Sequence, residues 1–306
     1  MSSIINMEYK DRLFNFTFGR EENKEWTLSL YNAVNGSTYT DSSSIEFNTL
    51  NDVLFMRMRN DTSFIIADIM SVYEHQSTFN PNMPLRLLQY VGNLYSGYIA
   101  RNKYNKYGKS LINLPTPKLL VFYNGKDEKE DESILRLSDA FSESTREQAD
   151  IEVSVRMINV NYGRNKDLMN ACKPLAEYSW FINEIRKRQE QGHNLEVSVE
   201  SALTAMPQDY LIKGFLMSHK QEVQGMLDTE YNEAEVMEMF REDGKKEGEN
   251  KLLIEQICKK LAKGKSVEVI ADEVEESADR VQKICDVIGE ISPDYNVDKI
   301  YEAMRK

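Results

Sequence analysis

Hydrophobic positions at the start of the chain recur at helical spacing, with Leu13, Phe14 and Phe18 followed, after a break over 19–23, by Trp26, Leu28, Leu30 and Val34. Asn35–Gly36 closes that segment as a turn. The pattern then changes period. Ile45 and Phe47 read as a short strand, and 53–58, 62–66 and 69–76 are rich in β-branched and apolar residues, which predicts a β-meander. Pro81 and Pro84 precede an amphipathic run over 85–99, in which Leu87, Leu88, Val91, Leu94, Tyr95 and Tyr98 recur at helical intervals. Pro115 and Pro117 introduce an apolar strand over 119–123, ended by Asn124–Gly125. A charged loop over 127–132 leads to one more strand over 151–160.

From Leu175 onward only helical stretches are visible, at 176–188, 197–206 and 233–240. The segment DGKKEGEN over 243–250 has no apolar residue and reads as a solvated helix or linker. Beyond it, 252–287 has helical spacing interrupted near Gly264. The order of elements predicts an α/β domain over 1–165, then a helical extension over 166–242, packed on that domain or following it. A charged linker and small helical module occupy 243–306. In the module, Val267–Ala271 and Val281–Ile284 resemble a helix-turn-helix. Its acidic 272–276 cluster faces phosphates badly, so oligomerisation or partner binding is the preferred role there.

A chain of 306 residues, 41% hydrophobic and 29% charged, has the composition of a folded protein. Cys172, Cys258 and Cys285 are too far apart in sequence for a zinc motif and read as reduced, partly buried thiols. No basic leader with an apolar run is visible and no stretch reaches membrane-span length, so the expected location is cytoplasmic, with no membrane partner. A net charge of −12 disfavours indiscriminate nucleic-acid binding. The charge is unevenly spread, however. From His75 to Lys126 there is no acidic residue, while Arg86, Arg101, Lys103, Lys106, Lys109, Lys118 and Lys126 are all basic.

The chemistry centres on NDTSF over 60–64 and YEHQS over 73–77. If these strands form a hairpin turning at Ala67–Asp68, Asp61 becomes the direct cross-strand neighbour of Glu74, with Cβ atoms about 5 Å apart. Two carboxylates at that separation repel unless a cation lies between them. Gln76 shares the face of Glu74 by strand alternation, and His75 points to the other face. Oxygen ligands with positions left for water and a substrate phosphate suit Mg²⁺, with Mn²⁺ as a substitute. The plainer reading makes Asp61 a turn residue and Glu74 a solvent-facing strand residue. Asp68 is an alternative ligand, although aspartate also suits the tight turn for backbone reasons.

The motifs NDTSF (60–64), EHQST (74–78), NPNMPLR (80–86), PTP (115–117), YNG (123–125) and LSDAF (137–141) occur in this order. Together they resemble the bacterial recombination-promoting nuclease and transposase family, within the PD-(D/E)XK nuclease superfamily. The segment 11–36 and the charged stretch around Glu247–Gly248 also resemble that family. The resemblance implies a restriction-endonuclease-like core, a mixed sheet flanked by helices, with an α-helical C-terminal extension. It also implies magnesium-dependent cleavage of DNA. Asp61 and Glu74 then correspond to the metal-binding carboxylates, and Gln76 stands where the superfamily pattern has lysine. Glutamine orients water but does not usefully accept its proton. Proton removal therefore falls to solvent and to water activated by the metal.

Arg86 and Tyr90, four apart on the following helix, share a face that bears a scissile phosphate if it borders the site. The bland alternative is that Arg86 pairs with a surface carboxylate and Tyr90 packs. Arg101, Lys103, Lys106 and Lys109, interleaved with Tyr104 and Tyr107, suit phosphate contacts and base stacking, or else form a solvated basic loop. Gly264-Lys265-Ser266 is not a phosphate-binding loop, because Lys259 stands where the first glycine belongs. His75, His193 and His219 are isolated in sequence and read as structural or surface residues. The expected function is a divalent-metal-dependent DNA endonuclease linked to recombination, transposition or defence, with a second copy docking through the C-terminal helices. The competing expectation is a catalytically inactive DNA-binding or protein-interaction module that retains the fold.

Overall fold

The computed structural model describes residues 13–48, 62–291 and 296–304, with the backbone alone at 229–241, 243, 290 and 291. The expected strand over 53–58 and the candidate ligand Asp61 lie outside the described residues. The chain divides into two compact units, Met1–Ala234 and Glu235–Lys306.

The first unit is α/β, with a six-stranded mixed sheet flanked by helices. Helices α1 (Leu13–Phe18) and α2 (Lys24–Asn35) come first, and Gly36 in the left-handed region caps the second. Strands β1 (Glu46–Phe47), β2 (Thr62–Ile66) and β3 (Ile69–Gln76) form an antiparallel meander. Helix α3 (Met83–Arg101), with proline in its first turn, crosses over to β4 (Thr116–Tyr123), which lies parallel to β3. Strand β6 (Ser154–Asn159) extends the parallel part, and β5 (Glu132–Arg136) closes the edge antiparallel to β6. The strand order is β1-β2-β3-β4-β6-β5.

Strand β5 was expected as charged loop up to Glu132. It pairs on one side only, and every residue in it is exposed or half-exposed, so it carries little of the hydrophobic alternation that marks a strand in sequence. At the sheet centre β3 is buried along almost its full length, and its successive side chains are sorted between two cores. One core joins Phe64, Tyr73, Phe122 and Ile158 to residues of α1, α2, α4 (Lys166–Ala171), α5 (Lys173–Glu190), α6 (Leu195–Ala205) and α7 (Lys213–Ser218). The other joins Met70, Val72, Val121, Tyr123 and Met157 to Leu87, Tyr90 and Leu94 of α3. Leu175, Tyr178, Phe181, Val199, Leu216 and Leu227 belong to the first of these cores, so much of the 166–242 extension is part of the sheet domain's interior.

Among the described residues no strand follows β6. Helix α8 (Lys220–Leu261) contains the division between units and includes 243–250. In the second unit, the end of α8 packs with α9 (Val267–Glu273), α10 (Ala278–Ile291) and α11 (Val297–Met304) around Ile254, Ile257, Ile270, Ile284 and Ile300. Gly264, at φ 74°, supplies the left-handed residue that ends α8. All three cysteines are free thiols, two buried and Cys285 half-buried. Among the described residues no helix is long and apolar enough to cross a membrane.

Candidate active site at the carboxyl end of the central strand

The β2–β3 hairpin turns at Ala67 and Asp68, both at positive φ (47° and 63°), the backbone that a two-residue hairpin of this twist requires. The pairing runs from Ile66 opposite Ile69 to Thr62 opposite Tyr73, which is the register expected from the sequence. Asp68 takes the second turn position, its carbonyl accepts from the Thr116 amide at 2.8 Å, and it lies at the opposite end of β3 from Glu74.

Glu74 and Gln76 lie at the carboxyl end of β3 on the α3 side of the sheet, about 7 Å apart along the strand. They are 2% and 4% exposed. Their parallel neighbours on β4 are Val121 and Tyr123, both in the core beneath α3. Arg86 reaches down from the first turns of α3, with Nη2 3.3 Å from Glu74 Oε2 and donating to Tyr90 Oη at 3.0 Å. Tyr90 is buried, so it packs as the bland reading holds, while Arg86 pairs with the buried site carboxylate instead of a surface one. A buried carboxylate without such a partner is strongly disfavoured. Gln76 Oε1 is buried and has no hydrogen-bond partner among the described residues.

His75 points through the opposite face. Its ring stacks on Phe14 at 5.3 Å, and Nε2 lies 3.3 Å from Tyr178 Oη. It is a core residue. Cys172 is likewise interior: it accepts a hydrogen bond from Ser29 at 3.6 Å, and burial pushes its thiol up to about 11.

The basic run falls elsewhere. Arg101 ends α3, some 22 Å along the axis from Arg86 at about 1.5 Å per residue. Lys103, Lys106 and Lys109 follow in an exposed loop, with Lys106 Nζ 5.3 Å from the Tyr107 ring centre. Arg86 and Tyr90 thus border Glu74, whereas Arg101, Lys103, Lys106 and Lys109 form a separate surface at the other end of the helix. Among the described residues none of these four pairs with a carboxylate.

Sequence reading missed an asparagine–arginine cluster just past β4 and β6. The Asn124 amide donates to the Gln76 carbonyl at 2.9 Å, and the Asn161 side chain donates to the carbonyl of Gly125 at 3.0 Å. Gly125 is required there, because a Cβ would lie 2.6 Å from the Ser77 carbonyl oxygen. Arg186 of α5 grips both asparagines. The sequence signal for this cluster was the asparagine that follows each strand, Asn124 after β4 and Asn161 after β6.

Among the described residues no group of three or more His, Cys, Asp or Glu side chains is placed to hold a metal ion. Comparison of the chain with family models, with curated proteins and with solved structures finds no match.

Proposed function

We propose that the chain is a divalent-metal-dependent DNA endonuclease of the PD-(D/E)XK type, with Asp61 and Glu74 as its metal-binding carboxylates and Gln76 beside them to orient water. The observation that carries this reading is the pair Glu74 and Gln76, buried side by side at the carboxyl end of a central parallel strand. Ligands of open α/β sheets characteristically bind at such ends. The residues fit a hard cation in kind. Glu74 offers carboxylate oxygen, and beside it Gln76 Oε1 is a buried acceptor without a donor among the described residues, placed to accept from a water. Asp61, the second carboxylate in this reading, lies outside the described residues, and the support for it is the register of its neighbours Thr62 and Tyr73.

When bound, a divalent ion supplies an activated water and offsets charge developing on phosphorus. The chain's own groups set the stage for that. Arg86 fixes one Glu74 oxygen, and Tyr90 steadies the guanidinium, which is about one-third exposed and able to meet a phosphate oxygen from solvent. Gln76 orients the attacking water by hydrogen bonding, since an amide has no useful basicity. The exposed Arg101–Lys109 loop offers a second, sequence-independent contact to the nucleic-acid backbone.

A second reading, a non-catalytic binding module with the same fold, is favoured by the Arg86–Glu74 pair itself, because an arginine already satisfies part of that carboxylate. Plasmid nicking by purified protein separates the two. Cleavage is expected with Mg²⁺, not with EDTA, and not in an Asp61→Ala, Glu74→Ala double variant. Equal background in all three arms leaves the binding module as the correct account.

A further inference from the structure

Among the described residues Arg186 is the exception among the half-buried arginines. Arg20, Arg86, Arg156, Arg164 and Arg188 each lie within ion-pair distance of a carboxylate. Arg186 is half-buried and donates to neutral oxygens: Asn161 Oδ1 at 2.8 Å, and both the carbonyl and Oδ1 of Asn124. Among the described residues no carboxylate lies within 4.0 Å of it. A half-buried charge with only neutral partners lacks the compensation such charges ordinarily find inside proteins. Three contacts also leave about two of the five guanidinium N–H groups for another acceptor. One turn earlier on the same helix face, Asn183 Nδ2 is buried with no acceptor among the described residues.

The location bears on what the missing counter-charge is. Asn124 follows β4 and Asn161 follows β6, so Arg186 sits at the carboxyl ends of the parallel strands, and Asn124 is bonded directly to the backbone of Gln76. We propose that Arg186, held in place by Asn124 and Asn161, is an anion-binding residue that takes a phosphate group. Its identification with a nucleic-acid phosphate rests on the nuclease reading above. The phosphate chemistry itself does not.

The test uses the full chain in EDTA, titrated with inorganic pyrophosphate and, separately, with a labelled short DNA duplex. Arg186→Gln removes the charge. Asn124→Asp keeps an accepting oxygen against the guanidinium and supplies an internal counter-ion, neutralising the charge without removing the clamp. Both variants are expected to weaken pyrophosphate binding about tenfold or more, and to lower the salt slope of duplex binding by about one. If Arg186→Gln fails to fold, Asn124→Asp decides. A wild-type chain that binds neither probe overturns the proposal, as does an Asn124→Asp variant that binds both as tightly as wild type. If pyrophosphate binds and both variants lose it while the duplex never binds, the anion site stands and the nucleic-acid reading falls.

Discussion

Glu74 and His75 are consecutive residues of one strand, 2% and 1% exposed, and they have opposite surroundings. His75 enters a core walled by Phe14, Phe122 and Tyr178. Glu74 enters the space beneath α3, where Arg86 meets it and Gln76 sits beside it with an unused acceptor. The difference teaches that burial does not distinguish a structural polar group from a chemical one. What distinguishes them is the kind of partner, aromatic rings and a phenol hydroxyl on the His75 side and a guanidinium charge on the Glu74 side.

The comparison can be broken most sharply at His75. Replacing a packed ring by alanine is expected to cost about 3 kcal/mol in urea unfolding. Cleavage by the folded fraction should be unchanged, and a loss of cleavage without a loss of stability would put His75 in the site after all. On the other face, Arg86→Ala removes the cation beside a buried carboxylate, an effect of about 2 kcal/mol once the partial exposure of the arginine is taken into account. Adding Glu74→Gln should recover most of that loss, a coupling that a double-mutant cycle measures directly. Additive losses would show that Arg86 does not act through Glu74.

A smaller effect is expected at Gln76. Its buried oxygen lacks a donor among the described residues, so Gln76→Leu should leave stability level or raise it by about 1 kcal/mol while lowering cleavage. Marked destabilisation would mean that the amide is a structural group.

The smallest effect sharpens the contrast between carboxylates. Glu177 of α5 is as buried as Glu74, but its partners are the Ile212 amide at 3.0 Å and Lys173, which is 3.9 Å away. Desolvation holds its carboxyl above the usual range. A raised folded-state value means that the native chain binds the proton more readily than the unfolded one. The resulting stabilisation is complete below the unfolded value near pH 4 and is lost as pH rises through the folded value. The stability advantage of wild type over Glu177→Gln should therefore shrink between pH 4 and pH 7 in thermal melts, and a growing advantage would reverse the assignment.

Much of the framework was legible because it is local. The hairpin over 62–76 follows from β-branched strands around an Ala-Asp turn, and its register fixes which neighbours oppose. Helix α3 follows from Pro84 and the apolar spacing after it, and the opposite facing of Glu74 and His75 follows from strand alternation alone. Strand β5 was not legible, since a one-sided edge strand needs no buried face to be stable.

Sequence by itself determined which side chains share a face, because the periods of helix and strand are properties of the backbone. It could not determine which faces meet. It grouped Arg86 with Arg101, Lys103, Lys106 and Lys109 as one basic region, and the length of α3 separates them. It gave no reason to associate Arg186 with Asn124, because residues 62 positions apart are brought together only when α5 packs on the sheet. Such contacts are set by the packing of elements against one another, and that information belongs to the tertiary structure.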